Sequence, residues 1–227
     1  MTFRCCFHFK GAAMDEIHYT LISDGSSDRA LLPILTWVLR EKGNANRIQP
    51  EWADLSRLHS PPRTLRDRIL ISIDLYPCDL LFVHRDAETE DPEKRHEEIH
   101  KAVEEASKKG FRTPAVCVVP VKMTEAWLLF DETSIRRAAG NPNGREPLEL
   151  PKLSNIEKIP NPKELLFDIL RSASGLSGRR LKTFNLSGAR IRITELIEDF
   201  SPLHKLEAFQ KLEKHISFLK NNAWKDS

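Results

Sequence analysis

Hydrophobic positions along this chain alternate between short dense runs and longer one-sided stripes. Residues 17–23 (IHYTLIS) are β-rich and apolar and lead into DGSSD, whose Asp, Gly and Ser favour a turn. Ser26, Ser27 and Asp28 are good helix-capping types. The stretch ALLPILTWVLREKG follows, with Leu31, Leu32, Ile34, Leu35, Val38 and Leu39 on one broad face, which predicts a buried helix. Pro33 inside it predicts a kink or a ragged first turn. Residues 61–75 read as a second helix opened by proline. Residues 79–86 (DLLFVHRD) and 114–121 (PAVCVVPV) are short apolar runs of the kind that form strands buried on both faces. Between them, residues 92–109 read as a charged helix with a thin stripe at Ile99, Val103 and Ala106 and a terminating Gly110. A weaker strand is expected near residues 48–52.

This order predicts an α/β fold: a TOPRIM- or Rossmann-like, mostly parallel sheet flanked by helices, with right-handed crossovers. After Met123 the pattern turns helical. EAWLLFDETSIRRAAG reads as one helix, residues 140–162 as a long connection rich in Pro, Asn and Gly, and three amphipathic helices complete the chain. The expected organisation is a dispensable extension over 1–13, an α/β domain over 14–139, and a linker with a helical lobe over 140–227. Met14 stands directly before the first regular segment, as an alternative start would.

Charge changes the picture only when read locally. Thirty-five basic and 33 acidic residues leave a net charge of +2. Residues 86–105 hold nine acids and three bases, however, while residues 171–192 hold six bases and no acid. The basic segment, with Gly175, Gly178 and Gly188, has the composition of a flexible phosphate-contacting stretch, so nucleic acid is the expected partner. Four cysteines without a C-x-x-C pair, and no apolar run long enough to span a bilayer, predict a reduced, cytoplasmic protein that makes no membrane contact. Trp37 and Trp127 lie on apolar helices and read as core residues.

The chemistry-bearing residues cluster at strand ends, where open α/β sheets bind ligands. The first strand ends in Asp24-Gly25-Ser26-Ser27-Asp28, the next clear one in His84-Arg85-Asp86-Ala87-Glu88, and the third leads to Glu125. Carboxylates converging from neighbouring strands repel unless a hard cation joins them, so one or two Mg²⁺ or Mn²⁺ ions are expected. Asp and Ser after strands also serve as plain helix caps. His96-Glu97-Glu98-Ile99-His100 matches the zinc-binding pattern H-E-x-x-H, which puts two imidazoles on one helix face. Its charged surroundings read as a solvated helix, and Glu125 is the formal candidate for a third ligand.

An acid-Gly turn after the first strand, an Asp four residues later and a D-x-E strand end together resemble the TOPRIM domain of topoisomerases, primases and OLD-type nucleases. The likeness to uncharacterised bacterial OLD-like TOPRIM proteins runs through LISDGSSDRALLPIL, YPCDLLFVHRDAE, VPVKMTEAWLLFDETSIRRAAGNPNG, NPKELLFDIL and SGRRLKTF, from Met14 nearly to the end. Two positions depart from that pattern: Asp24 stands where the acid is usually Glu, and Asp86-Ala87-Glu88 replaces D-x-D. The resemblance implies a metal-dependent nuclease acting on DNA or RNA, with Asp24, Asp86 and Glu88 as ligands and catalytic groups. Asp28 and Glu125 would be further ligands or orienting groups. Lys163 would reach the scissile phosphate, and Arg85, Arg179, Arg180 and Lys182 would grip the backbone. It also implies bacterial anti-phage defence beside a separate ATPase, since this chain has no Walker A motif, and it admits a homodimer. A non-catalytic subunit that binds nucleic acid or a partner is the competing expectation.

Overall fold

The computed structural model describes residues 16–43 and 46–223. The expected extension over 1–13 lies outside the described residues. Four strands, β1 (Glu16–Ile22), β2 (Arg47–Trp52), β3 (Leu80–His84) and β4 (Ala115–Val118), form one parallel sheet in the order β2-β1-β3-β4. Tyr19 pairs with Leu80 and His84 with Val118, which fixes the register of the central strands. All five residues of β3 are buried, as its unbroken apolar run requires of a strand covered on both faces. β2 lies at an edge, where Pro50 and its mostly exposed positions are tolerated.

Helices α1 (Leu31–Gly43), α2 (Leu65–Leu75), α3 (Pro92–Ser107), α4 (Glu132–Ala138), α5 (Pro162–Ser174), α6 (Gly178–Lys182), α7 (Leu186–Leu196) and α8 (Glu207–Ala223) surround the sheet. The two-residue period of the strands divides the interior. Tyr19, Leu21, Phe82, Val116 and Val118 share one core with α1, α5, α7 and α8, while Ile22, Leu81, Val83 and Cys117 face α2 and α3. The C-terminal helices therefore pack into the same core as the sheet; Trp127 meets Phe209 of α8 edge-on, 5.4 Å between ring centroids. Among the described residues, no helix is long and apolar enough to cross a membrane.

Several boundaries differ from the sequence expectation, each for a local reason. A 3-10 turn over Ser26–Ala30 precedes α1, so Pro33 falls in the first α turn, where its missing N–H leaves no bond unmade. α2 begins at Leu65 rather than at residue 61. The residue before a proline avoids helical angles, and Thr64 caps the helix by accepting from the Asp67 amide at 3.1 Å. The single helix expected after Met123 is two: a 3-10 turn over Thr124–Leu128, then α4 capped by Asp131. The segment expected to be flexible contains α6, which starts at Gly178 with a φ of 55°.

Candidate metal centre at the strand ends

The order β2-β1-β3-β4 creates a switch point between β1 and β3: the chain leaves β1 toward one edge and β3 toward the other. In open parallel sheets such a switch point, beyond the carboxyl ends of both strands, is where ligands bind. The turn after β1 supplies Asp28, the end of β3 supplies His84 and Asp86, and the segment after β4 supplies Thr124.

Donor atoms of Asp28, His84 and Asp86 lie within 4.8 Å of one another. Asp28 is buried, and it is held by the Gly25 amide, which donates to Oδ2 at 3.0 Å, and by the Ser27 hydroxyl, which donates to Oδ1 at 3.2 Å. Asp86 accepts from the Thr124 amide at 3.1 Å. Between the two acids sits the fully buried His84, with Nε2 3.4 Å from Asp86 Oδ1 and 3.9 Å from Asp28 Oδ2. Its Nδ1 stands 2.9 Å from the Val118 carbonyl oxygen, which only accepts, so Nδ1 carries a proton and Nε2 faces the carboxylates. Burial pushes the His84 pKa down, but the hydrogen bond and charge of Asp86, the charge of Asp28 and the Val118 carbonyl outweigh it, and the net shift is upward. Protonation of Nε2 offsets one of the two carboxylate charges, which is why the two acids raise the His84 pKa.

The donor set fits a divalent ion. Two carboxylates and an imidazole held by a backbone carbonyl suit Mn²⁺ well, and Mg²⁺ through the oxygens with water completing its shell.

The structure gathers only part of the expected site. Asp28 and Asp86 come together. Asp24, with its side chain 48% exposed, instead joins two guanidinium groups: Arg68 Nη1 at 2.7 Å and Arg85 Nε at 2.8 Å. Arg68 also donates to the Ser23 carbonyl, and Arg85 also pairs with Glu98 of α3 at 2.8 Å. Glu88 is exposed and holds a left-handed φ of 54°, anchored by its amide on the Lys122 carbonyl at 2.8 Å. Glu125 is buried, and Arg190 of α7 donates both to its carboxylate and to the Ser27 carbonyl. Lys163 is exposed on the first turn of α5, and Arg179, Arg180 and Lys182 are exposed on α6.

Two residues of this arrangement escape the sequence reading. His84 reads as the last residue of an apolar strand, although the two-residue period puts positions 84 and 86 on one side, a usable signal. Arg190 reads as one more base of the basic segment. Its burial depends on α7 packing against the 3-10 turn at Ser26–Ala30, a contact across more than 160 positions that no local pattern encodes. Comparison with known families, with curated proteins and with solved structures finds no match for this chain.

Proposed function

We propose that this chain is a Mg²⁺- or Mn²⁺-dependent nuclease that hydrolyses phosphodiester bonds of DNA or RNA, of the OLD-like TOPRIM kind its motifs resemble. The observation that carries the reading is the convergence of Asp28, His84 and Asp86 on one point at the switch of the sheet. A divalent ion held there supplies an activated water and neutralises charge on the phosphate. Asp28 and Asp86 hold the ion, and the Nδ1–H bond to Val118 keeps His84 Nε2 aimed at it. Arg68 and Arg85 are both paired with Asp24, and a phosphate, whose oxygens match the geometry of a carboxylate on a guanidinium, would take the place of that carboxylate. Lys163 and the exposed bases of α6 offer further contacts for a phosphate backbone. Free Cys78 and Cys117 support a reducing, cytoplasmic setting, and the resemblance supports a role in bacterial defence beside a separate ATPase.

The test is cleavage of plasmid, single-stranded DNA and RNA in Mn²⁺ or Mg²⁺ by wild type and by Asp86→Asn and Asp28→Asn. Substituting a ligand costs more than the roughly 10–100-fold of outer-shell changes. Cleavage that survives both substitutions would overturn the assignment. A second reading, a subunit that binds nucleic acid without cutting it, is favoured by one observation: the arginine clamp on Asp24 occupies one of the acids that the resemblance makes a ligand and catalytic group. Salt-dependent nucleic-acid binding without cleavage under any of these conditions would select it.

A further inference from the structure

The face of α3 that carries Glu93, His96 and His100 lies against α8. Glu93 pairs with Lys211 at 2.6 Å, and one turn further along α8 the His215 ring stands 6.4 Å from that of His100. The His96 and His100 rings are also 6.4 Å apart. Beneath them lies β4, whose buried Cys117 points toward α3. Donor atoms of His96, His100 and Cys117 lie within 4.8 Å of one another.

Burial keeps the Cys117 thiol protonated, its pKa pushed up to about 12, until a cation deprotonates it; two imidazoles and that sulfur, with a third imidazole adjoining, form the donor set of tetrahedral zinc. Ligands of a zinc ion stand about 3.3–3.6 Å apart at bond lengths of about 2.0–2.3 Å. His100 is exposed and His96 and His215 are half-buried, so their rings have room to rotate toward a shared ion. The sulfur excludes the hard cations that suit the Asp28 group. Glu125, the third ligand the sequence offered, is committed to Arg190.

We propose that His96, His100 and Cys117 bind a zinc ion, with His215 closing the shell. The site is separate from the Asp28–His84–Asp86 group and independent of its function. A shell closed by four protein ligands is structural: it staples α3 to β4 and α8. It also steadies Glu98, which pairs with Arg85.

The test uses the full chain, purified without a histidine tag, stripped of metal and titrated with Co²⁺ and Zn²⁺. The expected result is one equivalent of Co²⁺ with intense tetrahedral d–d absorption and a thiolate-to-cobalt charge-transfer band, displaced by Zn²⁺. His100→Ala, at an exposed position, should weaken binding tenfold or more. Cys117→Ala should abolish the charge-transfer band, and Asp86→Asn should leave both signals unchanged. Circular dichroism and urea unfolding identify the variants that remain folded. The proposal is overturned if the wild type shows no tetrahedral Co²⁺ spectrum, or if folded His100→Ala and Cys117→Ala retain it in full.

Discussion

The pair of Glu125 and Arg190 ties α7 to the turn that carries Asp28, and cutting it should cost more than most substitutions in this chain. Both residues are 3% exposed, and Arg190 also satisfies the Ser27 carbonyl next to Asp28. Arg190→Met leaves the Glu125 carboxyl without its partner in a dry site and frees a carbonyl; Glu125→Leu leaves the guanidinium unmatched. Removing one member of a buried pair costs about 3–5 kcal/mol, a large share of the roughly 5–15 kcal/mol that stabilises a domain. Replacing both with apolar side chains of similar volume restores most of that loss, so the double variant should be more stable than either single one. Urea unfolding followed by tryptophan fluorescence measures all four proteins, with buried Trp127 reporting on the shared core. Arg190→Met and the double variant should also bind Mn²⁺ roughly tenfold more weakly, because both lose the support on the Asp28 turn. Additive costs in the double variant, or a loss below about 1 kcal/mol in Arg190→Met, would refute the reasoning.

Three further outcomes follow from the same geometry. Burial, with the charges of His100 and His96, lowers the His215 pKa to about 4, so folding favours its neutral form. Stability of the metal-free protein is then full above pH about 6.5 and falls by up to about 3 kcal/mol as pH drops toward 4; His215→Gln should flatten that slope in urea titrations at several pH values, and an unchanged slope would contradict it. Because the His84 pKa is raised, a cation at the Asp28 group must displace the Nε2 proton. Mn²⁺ affinity measured by calorimetry should therefore rise about tenfold per pH unit below that pKa and level off above it, and His84→Asn should remove the dependence. Glu88 holds a left-handed φ without being glycine. Glu88→Gly should stabilise the fold by about 0.5–1 kcal/mol, and retained Mn²⁺ affinity in that variant would remove Glu88 from the ligands.

Much of the architecture was legible because its signals are local. The run LLFV predicts a strand buried on both faces, and β3 is one; the stripes of α1 and α3 and the proline in the first turn of α1 are likewise short-range consequences of spacing and capping. Among the candidate ligands, Asp28 and Asp86 were legible because strand ends in a parallel sheet face one crevice. The partners of Asp24 were not. Arg68 lies on α2, 44 positions beyond the turn that carries Asp24, and only the packing of α2 beside β1 brings the two together. The pairing of Glu125 with Arg190 was not legible for the same reason, since the two lie 65 positions apart. The H-E-x-x-H pattern identified two of the histidines at the α3–α8 seam, but Cys117 and His215 join them only through tertiary packing.

The central claim is that Asp28, His84 and Asp86 hold a divalent cation. Anomalous diffraction from a crystal soaked in Mn²⁺ tests it most directly. The account predicts a peak bonded to all three residues at about 2.0–2.3 Å, lost in Asp86→Asn. A well-ordered Asp28–His84–Asp86 group without a peak, at a Mn²⁺ concentration that supports cleavage, would contradict it.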